Sequence, residues 1–276
     1  MRNVGDTILC PIHSLAKIPK QLVGDAILYE LVRKDAQYYI RYRLRQGDEI
    51  FPDEAHYMKM QIFCVGLSVT TLDHFWTDDV LLDQDFNVIW ERPKMIRLVT
   101  DKEVDSTGPA TLTIPELIKA QEIAGWIALR YPRVFTYHRT GLFLLRNALP
   151  TQYFYADVLL NFWKILELVV HDRTNRKPTL QRIMRECTEL KLIAADIDEI
   201  REFFVVRSRD SAHDFGQVQE VTRRKAVECK LLAEELIIFD YVDRSSALPR
   251  IHVVTVHESA ERAAVRQKTG GERPGE

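Results

Sequence analysis

The sequence lacks most of the features that reveal a chemistry directly. It has four cysteines, Cys10, Cys64, Cys187 and Cys229, widely scattered, with no CxxC pair and no Cys/His cluster at metal-ligand spacing. They read as reduced thiols of a cytoplasmic protein, and a structural zinc site is not expected. No GxxxxGK[ST], GxGxxG, HExxH or GxSxG occurs, and the 11 glycines form no phosphate-cradling loop, so the usual nucleotide, zinc-protease and hydrolase signatures are absent. Neither a metal nor an organic cofactor is expected. No apolar run approaches the length of a membrane span. The start, MRNVGDTILCPIH, has no basic stretch followed by a long apolar one, so it does not read as a signal peptide. The net charge is −2, so there is no global positive field, and any nucleic-acid contact has to use a local patch. There is no internal repeat.

What is present changes character near residue 110. Over 276 residues, 46% hydrophobic, the expected fold class is α+β: a β-rich N-terminal domain (1–112), an all-α helical bundle (113–246), then a short strand and a flexible polar tail (247–276). QYYIRYRLRQ (37–46) alternates with period 2. Tyr38, Ile40, Tyr42 and Leu44 lie on one face, and Tyr39, Arg41, Arg43 and Arg45 on the other. AILYELVRK (26–34) reads as strand or helix, with a hairpin to 37–46 through Lys34-Asp35-Ala36 as the preferred pairing. MKMQIFCVGLSVTTL (58–72) is rich in apolar and β-branched residues and is grouped with the strands, as are FNVIWE and MIRLVT on either side of Pro93. IHVVTV (251–256) reads as one more strand.

Helical patterns cover 114–130, 138–148, 152–171, 179–191, 196 to about 209, and 219–242. Thr113 as N-cap, Pro115 in the first turn and Glu116 three residues on make a capping box. QYFYADVLLNFWKILELVVH (152–171) is apolar nearly all round, with a narrow stripe of Asp157, Asn161, Lys164, Glu167 and His171. Such a helix belongs in the middle of a bundle, its stripe facing solvent or a polar seam. The last helix opens with Arg223, Arg224 and Lys225. Positive charge in a first turn opposes the helix dipole, which suggests a use other than helix stability.

The stretch FFVVRSRDSAHDFG (203–216) runs from an apolar segment into Arg207, Arg209, Asp210, His213 and Asp214. One reading is a charged helix C-terminus, which is ordinary stabilisation. The other is a site. Arg presents a fixed fork that matches a phosphodiester, and His can exchange a proton near neutral pH. RNA supplies its own nucleophile, the 2′-hydroxyl. Glu167 pairs either with Lys164 on its own helix or with Arg207 or Arg209 across the bundle, since a carboxylate on so apolar a helix needs a partner.

FWKILELVVHD (162–172) followed by VVRSRDSAHDFG (205–216), on successive bundle helices, resembles the HEPN superfamily and within it the Apea-like HEPN group. The resemblance covers about residues 114–244. It rests on an Arg and a His with five residues between them, Arg207 and His213, and on the Phe162-Trp163-Lys164 and Glu167 pattern. It implies a bundle of four to five helices and a homodimer whose paired Arg/His motifs line one cleft. The implied activity is that of a metal-independent endoribonuclease acting on RNA, as a toxin or antiviral defence effector. Other members keep the fold as an inactive module for dimerisation or for binding a partner or nucleic acid. The chain departs from many active members in having Ser208 directly after the Arg. On this resemblance Arg207, His213, Asp210 and Glu167 are the catalytic candidates. Arg209, Lys164, Arg41, Arg43, Arg223 and Arg224 are the nucleic-acid-binding ones. Arg41 and Arg43, interleaved with tyrosines, equally suit the wet face of an amphipathic strand.

Overall fold

The computed structural model describes residues 2–14, 18–19, 21–23, 27–92, 112–147, 154–192, 197–210 and 221–245, with backbone alone at 147, 154, 209 and 210. The chain groups into two units, Met1–Tyr241 and Val242–Glu276; of the second, only the end of the last helix is described. The expected strands at 95–100 and 251–256 and the C-terminal tail lie outside the described residues.

The fold is α+β, an antiparallel sheet followed by helices. Seven strands, β1 (Thr7–Ser14), β2 (Gln21–Leu22), β3 (Tyr29–Lys34), β4 (Gln37–Arg43), β5 (Phe75–Thr77), β6 (Val80–Leu82) and β7 (Val88–Glu91), run in the order β2-β3-β4-β1-β6-β7, with β5 also on β1. The alternation in 37–46 has its expected effect. Ile40, Tyr42 and Leu44 are buried, while Arg43 and Arg45 are exposed. β3 and β4 form the hairpin, closed by Asp35-Ala36, with Lys34 opposite Gln37. Asp35 adopts the left-handed conformation (φ 54°) that such a tight turn requires.

The segment 58–72 is not a strand. It lies in α1 (Asp53–Thr71). A continuous apolar run does not distinguish a buried strand from a buried helix by its period. Here the deciding signals are the acidic first turn, Asp53 and Glu54, and a length beyond that of an ordinary strand. The helix shows no clean stripe because it is buried on two sides. Tyr57, Met60, Phe63, Cys64 and Leu67 pack in the core of the sheet with Ile8, Cys10, Leu31 and Ile40, and Val65 and Val69 belong to the core of the bundle. Gly66 lets α2 cross at short range: a Cβ there would sit 2.9 Å from the Ala124 Cβ and collide with the Ala120 carbonyl oxygen. Because that atom is backbone, Gly66→Ala is expected to destabilise the protein by about 1–3 kcal/mol, read as a lower urea midpoint.

α2 (Ile114–Arg130), α3 (Pro132–Asn147), α4 (Phe154–Thr174), α5 (Leu180–Glu189), α6 (Ile197–Asp210) and α7 (Arg223–Ser245) make up the rest. The capping box at the start of α2 is formed: the Glu116 carboxylate accepts from the Thr113 backbone N–H at 2.7 Å, and Thr113 caps the Glu116 N–H. α2 also ties to the sheet, its Gln121 Oε1 accepting from the backbone N–H of Leu28 and Tyr29. α4 occupies the centre of the bundle, with Val158, Leu159, Phe162, Trp163, Ile165, Leu166, Val169 and Val170 all fully buried. Of its stripe, Asp157, Lys164 and His171 face solvent.

Candidate functional site

α4 and α6 pack side by side, and this brings part of the expected site together. The Glu167 Oε1 lies 3.1 Å from Nη2 of Arg207, and the same oxygen accepts from the Trp163 indole N–H at 3.0 Å. Trp163 is fully buried and tilts against Phe204 at 6.0 Å between centroids. A buried indole on one turn of α4 and a carboxylate on the next therefore fix the guanidinium of α6. Glu167 reaches across the bundle to Arg207. Arg207 stays 40% exposed and Glu167 23%, so the pair forms a wet rim, not a buried clamp.

α6 is helical through Asp210, so Arg207 stands in its last turn. A cation there suits the C-terminal end of the helix dipole. Ile200 and Phe203 are buried, and Ile197 in the first turn is 41% exposed. His213 and Asp214 lie outside the described residues, and Arg209 and Asp210 are described as backbone only. Lys164 is exposed and sits 5.1 Å from the centroid of the Tyr137 ring. The His171 ring nitrogen Nδ1 is 2.9 Å from the Arg176 carbonyl oxygen, a local closure of the helix end.

The other nucleic-acid candidates are dispersed. Arg41 is paired across the hairpin with Glu30 at 2.7 Å. Arg43 is exposed at the end of β4. Arg224 pairs with Glu228 at 2.6 Å along α7. Arg223 lies in the first turn of α7, half-buried, and next to it Lys225 reaches Glu202 of α6 at 2.7 Å.

One fully buried polar cluster among the described residues is not among the sequence candidates. Lys230, Glu234 and His138 have no solvent exposure at all. Lys230 Nζ donates to Glu234 Oε2 at 2.7 Å and to the Leu72 carbonyl at the end of α1 at 3.2 Å. Glu234 Oε1 lies 2.7 Å from His138 Nε2 on α3. The signal was present: Lys230 and Glu234, one turn apart, fall on the same stripe as Ala226, Ala233 and Ile237, the buried face of α7. At the other end of α7, buried Asp240 accepts from Arg173 at 3.0 Å and Tyr131 at 2.7 Å. These clusters hold helices together and are not placed at the exposed rim.

Burial, together with the neighbouring Lys230, His138 and Arg223, holds the His74 imidazole far below its ordinary range, at about 2. Burial also lowers His56, whose two ring nitrogens have no partner among the described residues. A depressed histidine pKa means that the unfolded chain takes up the proton first. Stability is therefore complete above about pH 6.5 and falls as the pH drops below it. The urea midpoint is expected to fall from pH 7 to pH 5, and less steeply in His74→Gln.

Burial raises the thiols of Cys10, Cys64, Cys187 and Cys229, Cys187 to about 12, so all four are protonated small hydrophobes. Among the described residues no group of three His, Cys, Asp or Glu is arranged to hold a metal ion. No described helix is long and apolar enough to cross a membrane. Compared with protein-family models, curated proteins and solved structures, the chain has no match in any of the three.

Proposed function

We propose that the chain is a metal-independent endoribonuclease of the HEPN type that works as a homodimer, in a toxin or antiviral defence role. One observation carries the reading. Arg207 stands in the last turn of α6, oriented by Glu167 and left half-exposed, just before the segment that holds His213. In this chemistry His213 takes the proton of the RNA 2′-hydroxyl as that oxygen attacks phosphorus. The bond to the 5′-oxygen breaks, the leaving oxygen gains a proton, and the products carry a 2′,3′-cyclic phosphate and a 5′-hydroxyl. The Arg207 fork faces the non-bridging oxygens and stabilises the charge that builds there. Glu167 fixes the guanidinium in place; Asp210 remains a further catalytic candidate and Arg209 a candidate for holding the RNA.

A second reading is favoured by the same pair. A guanidinium already neutralised by Glu167, followed by Ser208, also fits an inactive HEPN module that dimerises or binds a partner. Incubating the protein with RNA in EDTA and mapping the product ends separates the two. New 2′,3′-cyclic phosphate ends support the ribonuclease. Intact RNA in the presence of folded dimer supports the module.

A further inference from the structure

We infer that the corner between α4 and α5 holds the RNA backbone beside the scissile phosphate, through Arg176, Lys177 and Arg182. Printed in the packing is where that corner lies. Trp163 of α4 tilts against Phe204 of α6 at 6.0 Å between centroids, and one turn on, Glu167 meets Arg207 at 3.1 Å. The two helices therefore run in the same sense here, and the end of α4 lies beyond Arg207 in the direction that α6 takes. His171, one further turn along the same stripe as Glu167, is about 6 Å on. Its Nδ1 is 2.9 Å from the Arg176 carbonyl oxygen. The chain reverses at Asn175 (φ 50°), and the Arg182 guanidinium, in the first turn of α5, donates back to the Lys177 carbonyl oxygen. The backbone at 176–177 is thus held from both sides.

The charge at the corner is not compensated. Every acidic residue between 171 and 191 already has a cation: Asp172 has Arg130 at 2.7 Å, Glu186 has Arg173 at 3.2 Å, and Glu189 has Arg185 at 3.6 Å. Arg176, Lys177 and Arg182 make no ion pair among the described residues. Arg182 spends one N–H on a neutral carbonyl and keeps its full charge. Arg176 and Lys177 are exposed, and Arg182 is half-buried. This happens in a chain whose net charge is −2. No large apolar side chain is exposed among residues 154–192. A phosphate backbone needs only cations, whereas an acidic peptide would also use an apolar anchor, so the corner favours nucleic acid. The choice of RNA rests on the ribonuclease reading. The three cations position the strand and do not touch the reacting atoms.

The test is fluorescence anisotropy of the full chain with a labelled 2′-O-methyl oligonucleotide about 12 nucleotides long. This strand has no 2′-hydroxyl and is not cut, so binding is read apart from cleavage. The wild type is expected to bind it. Arg176→Ala and Lys177→Ala should each weaken binding about fivefold in 0.1 M salt and flatten its logarithmic salt dependence by about 0.7. Neither side chain has a contact that the fold needs, and circular dichroism confirms the fold. Arg182→Ala should act in the same direction. Lys191→Asn removes an equal charge just past the far end of α5, at a left-handed position (φ 53°) that Asn adopts readily, and should bind like wild type. No binding by wild type, corner variants that bind like wild type, or an equal loss in Lys191→Asn would each overturn the corner. A changed particle mass in the corner variants would also overturn it, since the corner would then be a contact between copies. Cleavage of unmodified RNA is followed in parallel, where the corner variants should raise KM and leave kcat unchanged. A lower kcat at unchanged KM contradicts a positioning role. Cleavage with unaltered variant affinities removes the corner and leaves the ribonuclease. Corner-dependent binding without cleavage does the reverse.

Discussion

Glu234→Ala is expected to lower the stability of the protein by about 3–5 kcal/mol, enough to leave much of it unfolded at 37 °C. The size follows from what remains behind. Lys230 has no solvent exposure, and among the described residues its ammonium would keep only the Leu72 carbonyl as partner. His138 would lose the acceptor at its Nε2. Removing one member of a buried ion pair costs far more than removing both. Lys230→Met combined with Glu234→Gln is therefore expected to be milder than Glu234→Ala alone, since the amide oxygen still serves His138. Urea midpoints of the single and double variants give the comparison. A Glu234→Ala protein as stable as wild type would mean that the triad contributes nothing to holding α1, α3 and α7 together.

Arg207→Ala is expected to reduce RNA cleavage by about 10²–10³-fold, the usual effect of deleting a donor aimed at developing charge. Arg207→Lys should recover little, because an ammonium is a point charge without the planar fork. Stability should hardly change. The Arg207–Glu167 pair is substantially exposed, and such pairs are worth at most about 1 kcal/mol. Loss of activity at an unchanged melting temperature is the expected pattern. Equal loss of both would make the pair a strut of the bundle, and the inactive-module reading would replace the ribonuclease.

The elements that could be read in the sequence were those whose local signals agree with their burial. β4 alternates because one face is wet, and α2 starts where Thr113 and Glu116 cap it. α4 is apolar all round because it is central. α1 reads as a strand for the same physical reason: a helix sandwiched between sheet and bundle loses its period, and Asp53 and Glu54 mark its start. The Glu167–Arg207 contact was legible as a carboxylate on an apolar helix that needs a partner, but spacing alone could not choose between Arg207 and Arg209. The Lys230–Glu234–His138 triad was not seen, because a charge on a helix is ordinarily taken to face water. Only its register against Ala226, Ala233 and Ile237 shows otherwise. The Arg41 stripe suited either a contact surface or the wet face of a strand, and Glu30, opposite Arg41 on β3, pairs with its guanidinium.

The most direct test of the central claim compares wild type and His213→Ala on the same RNA in EDTA, with product ends mapped and the dimer verified for both. The account predicts cleavage by wild type that leaves 2′,3′-cyclic phosphate ends, and a loss of about 10²–10⁴-fold in His213→Ala with fold and dimer intact. Cleavage undiminished in His213→Ala, or no cleavage by a folded wild-type dimer, would contradict it.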